Sequence, residues 1–229
     1  MEQEVPDVYS IPILQPKFCE LLKDYLGEFS SYRQTHYNRQ AQPQQSSLHT
    51  RWIDLDHCGL SWFNDALLYY VAQPLSRHLF TAETADGVLD WRQGYLAAYT
   101  TPEKTDLKRP RQGLTAHTDD SEVTLNLSLN GGQFVGGDVA LHGLRGTRNE
   151  GGFVDAYSPV TGRCLLHPGR YLHQVTELVE GDRMAIILWT RSWSGVRAQT
   201  CPCCWLHRRG VEQQSSGPQT TCICGAAWN

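Results

Sequence analysis

The sequence has no apolar run long enough to cross a membrane. No stretch of about 18 consecutive apolar residues occurs in its 229 residues, so no membrane-spanning helix is expected. The first five residues are acidic and lack the apolar centre of a secretory signal. These absences predict a chain that works in the cytosol or the nucleus, away from the membrane.

The chain also lacks the basic excess that is typical of proteins that bind nucleic acids. Its formal net charge is −4 and its isoelectric point is about 6.1, whereas a nucleic-acid-binding surface is normally basic. One basic cluster, from Lys104 to Arg111, is mixed with proline and acidic residues and predicts a solvated loop. We therefore expect no nucleic-acid partner.

No internal repeat is present, and the length suits one domain with a substantial core. Pro16 begins a predicted helix, and a second is expected from Trp62 to Phe80, which Pro74 would kink or divide. The first helix has apolar residues at helical spacing, namely Phe18, Leu21, Leu22, Tyr25, Leu26 and Phe29. A Gln-rich stretch at 36–47 predicts a flexible loop.

From Gly94 onward, short predicted strands alternate with Gly-rich turns. Helices first and strands after them indicate an α+β fold with an antiparallel jelly roll as its core. We expect three regions: an N-terminal helical support at 1–93 within the same domain, the jelly-roll core at 94–191, and a Cys-rich tail at 192–229.

A His-x-Asp pair, His117 and Asp119, supplies the first candidate site residues. The segment at 114–117 is predicted to be the end of a strand, where residues i and i+2 point to the same face. Asp120 is the alternative carboxylate, which would point to the other side unless the chain turns there. The motif alone is weak, because short patterns of this kind arise by chance.

Three histidines in the strand-rich half could complete a metal site, namely His142, His167 and His173. His167 precedes a Pro-Gly turn signal and is expected at a strand end, whereas His173 lies inside the next predicted strand. We favour His173 as the ligand and His167 as a packing residue or a support to the ligands. Two imidazoles and one carboxylate form a ligand set that holds Fe(II) and leaves positions open.

Arg183 stands ten residues after His173, at the start of the most apolar run in the sequence. If the two runs pair as a hairpin, Arg183 lies several residues beyond His173, at about 3.3 Å per residue. That offset leaves room for a short diacid between the metal and the guanidinium, which binds carboxylates through paired hydrogen bonds. The pattern predicts an oxygenase that uses 2-oxoglutarate.

The run from Val123 to Leu129 alternates between apolar and polar side chains, with Thr124, Asn126 and Ser128 on one face. In an ordinary exposed strand the polar face would contact water. In a barrel with a working interior it would line the cavity instead. Asn126 is then a candidate donor to a carboxylate of the bound co-substrate.

Together these motifs resemble the prolyl- and lysyl-hydroxylase-like 2-oxoglutarate- and Fe(II)-dependent dioxygenases. The branch they resemble most is that of the 2-oxoglutarate and iron-dependent oxygenase domain-containing proteins. The resemblance spans about residues 8–209. Its matching pieces are Val8-Tyr9, Phe18-Cys19, Gln73-Pro74-Leu75, Tyr99, His117-Thr118-Asp119, Thr124-Leu125-Asn126, Gly136-Gly137, His167-Pro168-Gly169-Arg170, His173, Gly181-Asp182-Arg183, Trp189 and Cys201-Pro202-Cys203-Cys204.

The resemblance implies a double-stranded β-helix with flanking N-terminal helices. It implies that His117, Asp119 and His173 are the catalytic iron ligands and that Arg183 binds the far carboxylate of 2-oxoglutarate. Tyr99 aligns with a tyrosine that lines the co-substrate pocket in relatives; the alternative is an ordinary core aromatic.

The implied activity is hydroxylation of a C–H bond, with O₂ as the second co-substrate and succinate and CO₂ as co-products. L-Ascorbate is an expected auxiliary reductant, and a protein or peptide with a prolyl or lysyl side chain is the expected substrate. Two of the departures from relatives concern the site, and two others are the insertion at 101–112 and the Gln-rich loop. Collagen-type prolyl hydroxylases carry lysine where Arg183 stands, and nucleic-acid demethylases carry an arginine where this chain has Trp189. The alternative is a catalytically silent metal-binding β-barrel that serves as an interaction module.

Five of the eight cysteines follow residue 200, at Cys201, Cys203, Cys204, Cys222 and Cys224. In an intracellular chain such clustering favours a metal site over disulfides. Two pairs from this set could form a structural Zn²⁺ site, separate from the iron. The alternative is a set of free thiols on a loose tail.

Overall fold

The computed structural model describes residues 1–37, 53–84, 88–104, 110–145, 147 and 150–194, with only the backbone described at 33–37. Most of the Gln-rich stretch and the cysteines of the tail lie outside these ranges. The described helical segments are α1 (Pro16–Tyr37), α2 (Ser61–Leu67), a π-helical segment (Leu68–Ala72), α3 (Gln73–Leu79) and α4 (Thr81–Thr84), with 3-10 turns at Asp56–Cys58 and Pro102–Lys104. None of the described helices is long and apolar enough to cross a membrane.

Antiparallel strands make up the rest of the described fold. In chain order they are β1 (Glu2–Val5), β2 (Val8–Pro12), β3 (Ile53–Asp54), β4 (Trp91–Thr100), β5 (Leu114–His117), β6 (Val123–Ser128), β7 (Val135–Gly136), β8 (Val139–Leu144), β9 (Asp155–Tyr157), β10 (Arg163–Pro168), β11 (Tyr171–Val175), β12 (Leu178–Glu180) and β13 (Asp182–Arg191).

The strands form two sheets that pack face to face. The major sheet has the order β1-β2-β10-β6-β13-β4-β3, and the minor sheet has the order β5-β11-β8-β9. Strands β12 and β7 form a separate two-stranded ribbon. This arrangement confirms the predicted α+β fold with a jelly-roll core.

The outer face of the major sheet is covered by the N-terminal helices. Strands β6 and β13 present alternate apolar residues to this face, and α1 contributes Leu22 and Leu26. The stripe on α1 is narrower than predicted, because Leu21 and Tyr25 are 54% and 44% exposed. Helical cover on one side leaves the opposite face of the major sheet to line the interior between the sheets.

The polar face of β6 points into that interior. Thr124, Asn126 and Ser128 are 1%, 8% and 3% exposed. Asn126 is paired across the sheet with Ile187, which packs in the cluster between the two sheets. Directly paired residues of antiparallel strands share a face. The polar row therefore lines the interior and does not contact bulk water.

The predicted hairpin between the strands of His173 and Arg183 is wrong. His173 lies on β11, which pairs with β5 and β8 in the minor sheet. Arg183 lies on β13, which pairs with β4 and β6 in the major sheet. Strand β13 has apolar residues on both of its faces. In the major sheet one face packs against the helices and the other faces the interior, so both faces are buried. The two residues approach one interior from facing sheets.

The second predicted helix is divided, as Pro74 led us to expect. A π-helical segment separates α2 from α3, and Pro74 lies in the first turn of α3. Proline has no N–H to donate to the preceding turn, so a continuous α-helix would lose a hydrogen bond there.

Three strands in the first 93 residues were not predicted from the sequence. Strands β1 and β2 extend the major sheet beyond β10, and the short β3 pairs with β4 at its other edge. Each has five residues or fewer, so its local sequence signal is weak.

One buried ion pair ties the helical region to the turn before β11. Arg170 donates from Nε and Nη2 to the Glu83 carboxylate at 2.7–3.0 Å, and from Nη1 to the carbonyl of Arg145 at 2.8 Å. The side chain of Glu83 is 4% exposed and that of Arg170 is 17% exposed. Because the segment 167–173 carries two of the candidate histidines, this pair anchors the chain between them.

We expect Glu83→Gln to lower the free energy of unfolding by about 3 kcal/mol, because it leaves the Arg170 charge buried without its counter-ion. Urea denaturation of the metal-free chain measures this loss. The control is Glu103→Gln, which removes the same charge from an exposed turn. A loss for Glu83→Gln no larger than that of the control would show that the pair does not anchor the turn.

Candidate metal centre

Two neighbouring strands of the minor sheet bring the candidate histidines together. His117 ends β5 and is paired directly with His173 on β11. Asp119 follows two residues after His117, and its backbone N–H donates to the carbonyl of Gly169 at 2.7 Å. The Asp119 oxygens lie 3.5 Å from His117 Nε2 and 3.7 Å from His173 Nε2. One candidate ligand atom from each residue falls within 4.8 Å of the other two.

Backbone carbonyls determine which nitrogen of each histidine carries its proton. The Nδ1 atom of His117 lies 2.8 Å from the carbonyl oxygen of Thr115, and that of His173 lies 2.8 Å from the carbonyl oxygen of Tyr171. A carbonyl oxygen only accepts, so Nδ1 must be the donor in both rings. Each neutral ring then presents the lone pair of Nε2 to Asp119, which is the form that binds a metal.

Asp119 is held as a carboxylate. Its side chain is 3% exposed, and Thr124 Oγ1 donates to Oδ2 at 2.8 Å. Burial by itself would raise the pKa of the Asp119 carboxyl, but His173 and His117 outweigh burial and hold that pKa well below its usual range. The site therefore has one anionic oxygen ligand at neutral pH.

The pKa values of the two candidate ligand histidines are shifted in opposite directions. Burial lowers the pKa of His173 to about 4 despite the opposing charge of Asp119, so this ring is neutral at pH 7. Burial acts on His117 in the same direction, but the hydrogen bond that its protonated ring donates to Asp119, together with the carboxylate charge, raises its pKa overall. Metal binding would displace a proton from His117 more often than from His173. The donor set of two imidazoles and one carboxylate fits Fe(II).

The rival residues lie elsewhere or make other contacts. Asp120 points away and accepts from Arg191 Nη2 at 2.8 Å. His142 packs against the ring of Phe153, with a centroid distance of 6.1 Å. Neither belongs to the converging group of ligand atoms.

His167 is the fourth imidazole near the site. It is fully buried, and its ring centroid lies 4.6 Å from that of His173. Its Nδ1 lies 2.9 Å from the carbonyl oxygen of Pro168, and within the described chain its Nε2 has no hydrogen-bond partner. This position against His173 suits the predicted packing or supporting role.

Arg183 lies in the same interior with its charge unpaired. It is 1% exposed, and none of its three guanidinium nitrogens has a hydrogen-bond partner among the described residues. Tyr99 is its direct neighbour on β4, with the guanidinium carbon 5.0 Å from the ring centroid. Gly137 leaves room for it, because a Cβ there would lie 3.0 Å from Arg183 Cδ. A buried, unpaired cation is costly, so this position is suited to an anion.

Asn126 occupies the middle of the polar row on β6, between Thr124, which contacts Asp119, and Ser128. Its side-chain amide offers two N–H donors. The structure thus places Asn126 on the inner face of the major sheet, the face that also carries Arg183 and Tyr99.

Three supporting residues were not predicted. Thr124 belonged to the polar row, but its bond to Asp119 depends on tertiary contact. Gly169 allows a close approach, because a Cβ there would lie 2.0 Å from the carbonyl oxygen of Ser121; the sequence indicated only a turn. Arg111 was expected in a solvated loop, yet it is half-buried with its guanidinium carbon 4.5 Å from the Tyr99 ring centroid.

The chain is similar in sequence to curated proteins and similar in fold to a solved structure. The chain is 30% identical over 192 residues to the 2-oxoglutarate and iron-dependent oxygenase domain-containing protein CP2 of Arabidopsis thaliana, covering 82% of this chain and 46% of that protein. It is 30% identical over 181 residues to the multifunctional procollagen lysine hydroxylase and glycosyltransferase LH3 of Rattus norvegicus, covering 76% of this chain and 22% of that protein. The chain thus spans about half of the first relative and less than a quarter of the second. No family model matches the chain.

A solved structure supports the fold. The crystal structure of a Pseudomonas putida prolyl-4-hydroxylase superposes with a TM-score of 0.50 at 15% identity, covering 81% of this chain and 92% of that one. At that identity the likeness concerns the fold alone. Taken with the sequence matches, it confirms the resemblance that the motifs predicted: over most of its length, this chain is a homologue of the 2-oxoglutarate and iron-dependent oxygenase domain-containing proteins.

Proposed function

We propose that this chain is an Fe(II)- and 2-oxoglutarate-dependent dioxygenase that hydroxylates a C–H bond. The observation that carries the proposal is one interior with two complementary features: three converging metal donors and the buried, unpaired guanidinium of Arg183. A metal alone would not require the arginine, and an anion site alone would not require the donors. A metal-chelating dicarboxylate satisfies both.

In this proposal each residue has a defined task. His117, Asp119 and His173 hold Fe(II), with the Nδ1–H bonds to backbone carbonyls keeping both rings oriented. Thr124 holds the Asp119 carboxylate by donating to Oδ2. When bound, the iron would couple oxidative decarboxylation of 2-oxoglutarate by O₂, giving succinate and CO₂, to insertion of one oxygen atom into the substrate C–H bond.

The co-substrate would be oriented by the major sheet. Arg183 binds its far carboxylate, which restores a counter-charge to the buried guanidinium. Tyr99 packs beside that guanidinium, and Asn126 offers amide donors along the same face. The surrounding interior is buried, which keeps water from competing for these hydrogen bonds.

We propose a protein or peptide substrate oxidised at a prolyl or lysyl side chain. The lysine hydroxylase named among the relatives and the prolyl-4-hydroxylase with the same fold support this choice by likeness alone. The acidic net charge supports the absence of a nucleic-acid partner, and we propose action in the cytosol or nucleus. L-Ascorbate remains a proposed auxiliary reductant. The regions 1–93, 94–191 and 192–229 remain our proposed division into helical support, dioxygenase core and tail.

For the metal, we expect one Fe(II) per chain and succinate formation in the presence of 2-oxoglutarate and O₂. His117→Ala, Asp119→Ala and His173→Ala should each abolish succinate formation, because two remaining ligands rarely hold Fe(II) against water. Anaerobic metal titration measures the binding directly. The control is His78→Ala, which removes an exposed imidazole from α3.

His167→Ala separates the two histidine assignments. We expect this variant to keep stoichiometric Fe(II). Full turnover in His173→Ala, with loss of metal in His167→Ala, would make His167 the ligand instead. Stoichiometric iron in the unaltered chain without any succinate would favour the catalytically silent barrel.

For the co-substrate, Arg183→Ala should weaken 2-oxoglutarate binding about 10- to 100-fold, since a sheltered charge-assisted pair contributes roughly 1.5–3 kcal/mol. Fe(II) binding should be almost unchanged, because Arg183 is not among the metal donors. Calorimetric titration of the Fe(II)-loaded chain without O₂ measures both. Unchanged affinity for 2-oxoglutarate would remove Arg183 from the site and count against the dioxygenase as a whole.

A further inference from the structure

Arg111 is a second cation beside Tyr99, the ring that also contacts Arg183. It lies just before β5, the strand that carries His117, and its carbonyl oxygen accepts the N–H of Thr100 at 3.0 Å. This contact holds the residue beside Tyr99. The guanidinium carbons of Arg111 and Arg183 lie 4.5 Å and 5.0 Å from the centroid of the same Tyr99 ring. Two guanidinium groups therefore share one aromatic side chain.

The two cations differ in their access to solvent. Arg183 is 1% exposed, whereas Arg111 is half-buried. Burial lowers the pKa of Arg183; Tyr99 opposes this shift, and the positive charge of Arg111 adds to it. No ion pair joins Arg111 to an acidic residue in the described part of the chain. Like charges at one ring repel each other, and an anion between or beside them would relieve that repulsion.

We propose that Arg111 is a second carboxylate-binding residue of this pocket, placed on its solvent side, where it adds to the affinity for dianionic 2-oxoglutarate. The inference rests on the proposed function and deepens it. Fe(II), Asp119 and Arg183 together carry two positive charges, which the dianion balances. Arg111 adds a third positive charge. The pocket then has one positive charge more than the dianion neutralises, which strengthens the attraction for the co-substrate.

Partial exposure of Arg111 distinguishes its contribution from that of Arg183. A solvent-accessible charge interacts weakly and is screened by salt, whereas a buried charge is screened much less. Loss of Arg111 should therefore weaken binding less than loss of Arg183, by about fivefold at low ionic strength. That contribution should shrink as salt is added.

The test is calorimetric titration of 2-oxoglutarate into the full, Fe(II)-loaded chain without O₂, at low and at high salt. We compare the unaltered chain with Arg111→Gln and with Arg111→Lys, which keeps the charge. The matched control is Arg77→Gln, which removes the same charge from an exposed position on α3. Glutarate, a dicarboxylate without the keto group, is titrated into the metal-free chain as a second probe that does not depend on iron.

The inference predicts about fivefold weaker 2-oxoglutarate binding for Arg111→Gln at low salt, a smaller difference at high salt, near-normal binding for Arg111→Lys and no change for Arg77→Gln. Glutarate should follow the same order. Equal affinity of Arg111→Gln and the unaltered chain, or an equal loss in Arg77→Gln, would overturn it. If Arg183→Ala loses binding while Arg111→Gln does not, this inference alone fails. If the unaltered chain does not bind 2-oxoglutarate, the proposed function fails as well.

Discussion

The candidate centre depends on one pairing, that of β5 with β11, which places His117 opposite His173. Antiparallel partners in a sheet lie only about 4.5–5.5 Å apart at their Cα atoms, so the two imidazoles converge without any long side chain having to reach. Asp119 completes the group because its N–H is held by the carbonyl of Gly169, at the turn that leads into β11. Every other feature of the site either supports this pairing or faces it from the opposite sheet.

Several buried polar atoms of the described residues have no hydrogen-bond partner, and four of them lie in the interior that this pairing faces. Arg183 has three nitrogens and His167 has one nitrogen without partners among the described residues. Buried polar groups are normally satisfied, and a fold that leaves several unsatisfied in one place bears a cost in stability there. Binding of an anion beside Arg183 would remove part of that cost.

The helical region supports the centre from a distance. It covers the outer face of the major sheet, so the inner face of that sheet can carry polar and charged groups toward the minor sheet. Glu83 on α4 holds Arg170, which stands between His167 and His173. A change in the helices can therefore alter the metal site without contact with a ligand. The solved prolyl-4-hydroxylase has the same fold at 15% identity, which agrees with a scaffold specified by packing pattern more than by individual residues.

The sequence by itself determined the helical segments near the N-terminus, the strand-rich region from Gly94 onward, the division at Pro74 and the candidate donors, because these depend on local spacing, side-chain chemistry and the period of apolar residues. It did not determine β1, β2 and β3. It also left real alternatives at His167, Asp120 and the polar face of β6. Only the tertiary structure shows that the polar face of β6 is buried and that ligand atoms of His117, Asp119 and His173 converge, since burial and ring orientation depend on strands that are distant in the chain. Tertiary structure also corrected the expected hairpin: adjacency in sequence suggested that the strands of His173 and Arg183 pair, but burial of both faces of β13 places it in the opposite sheet. The half-buried position of Arg111 belongs to the same class, because a charged loop residue carries no local signal of the ring on which it will pack.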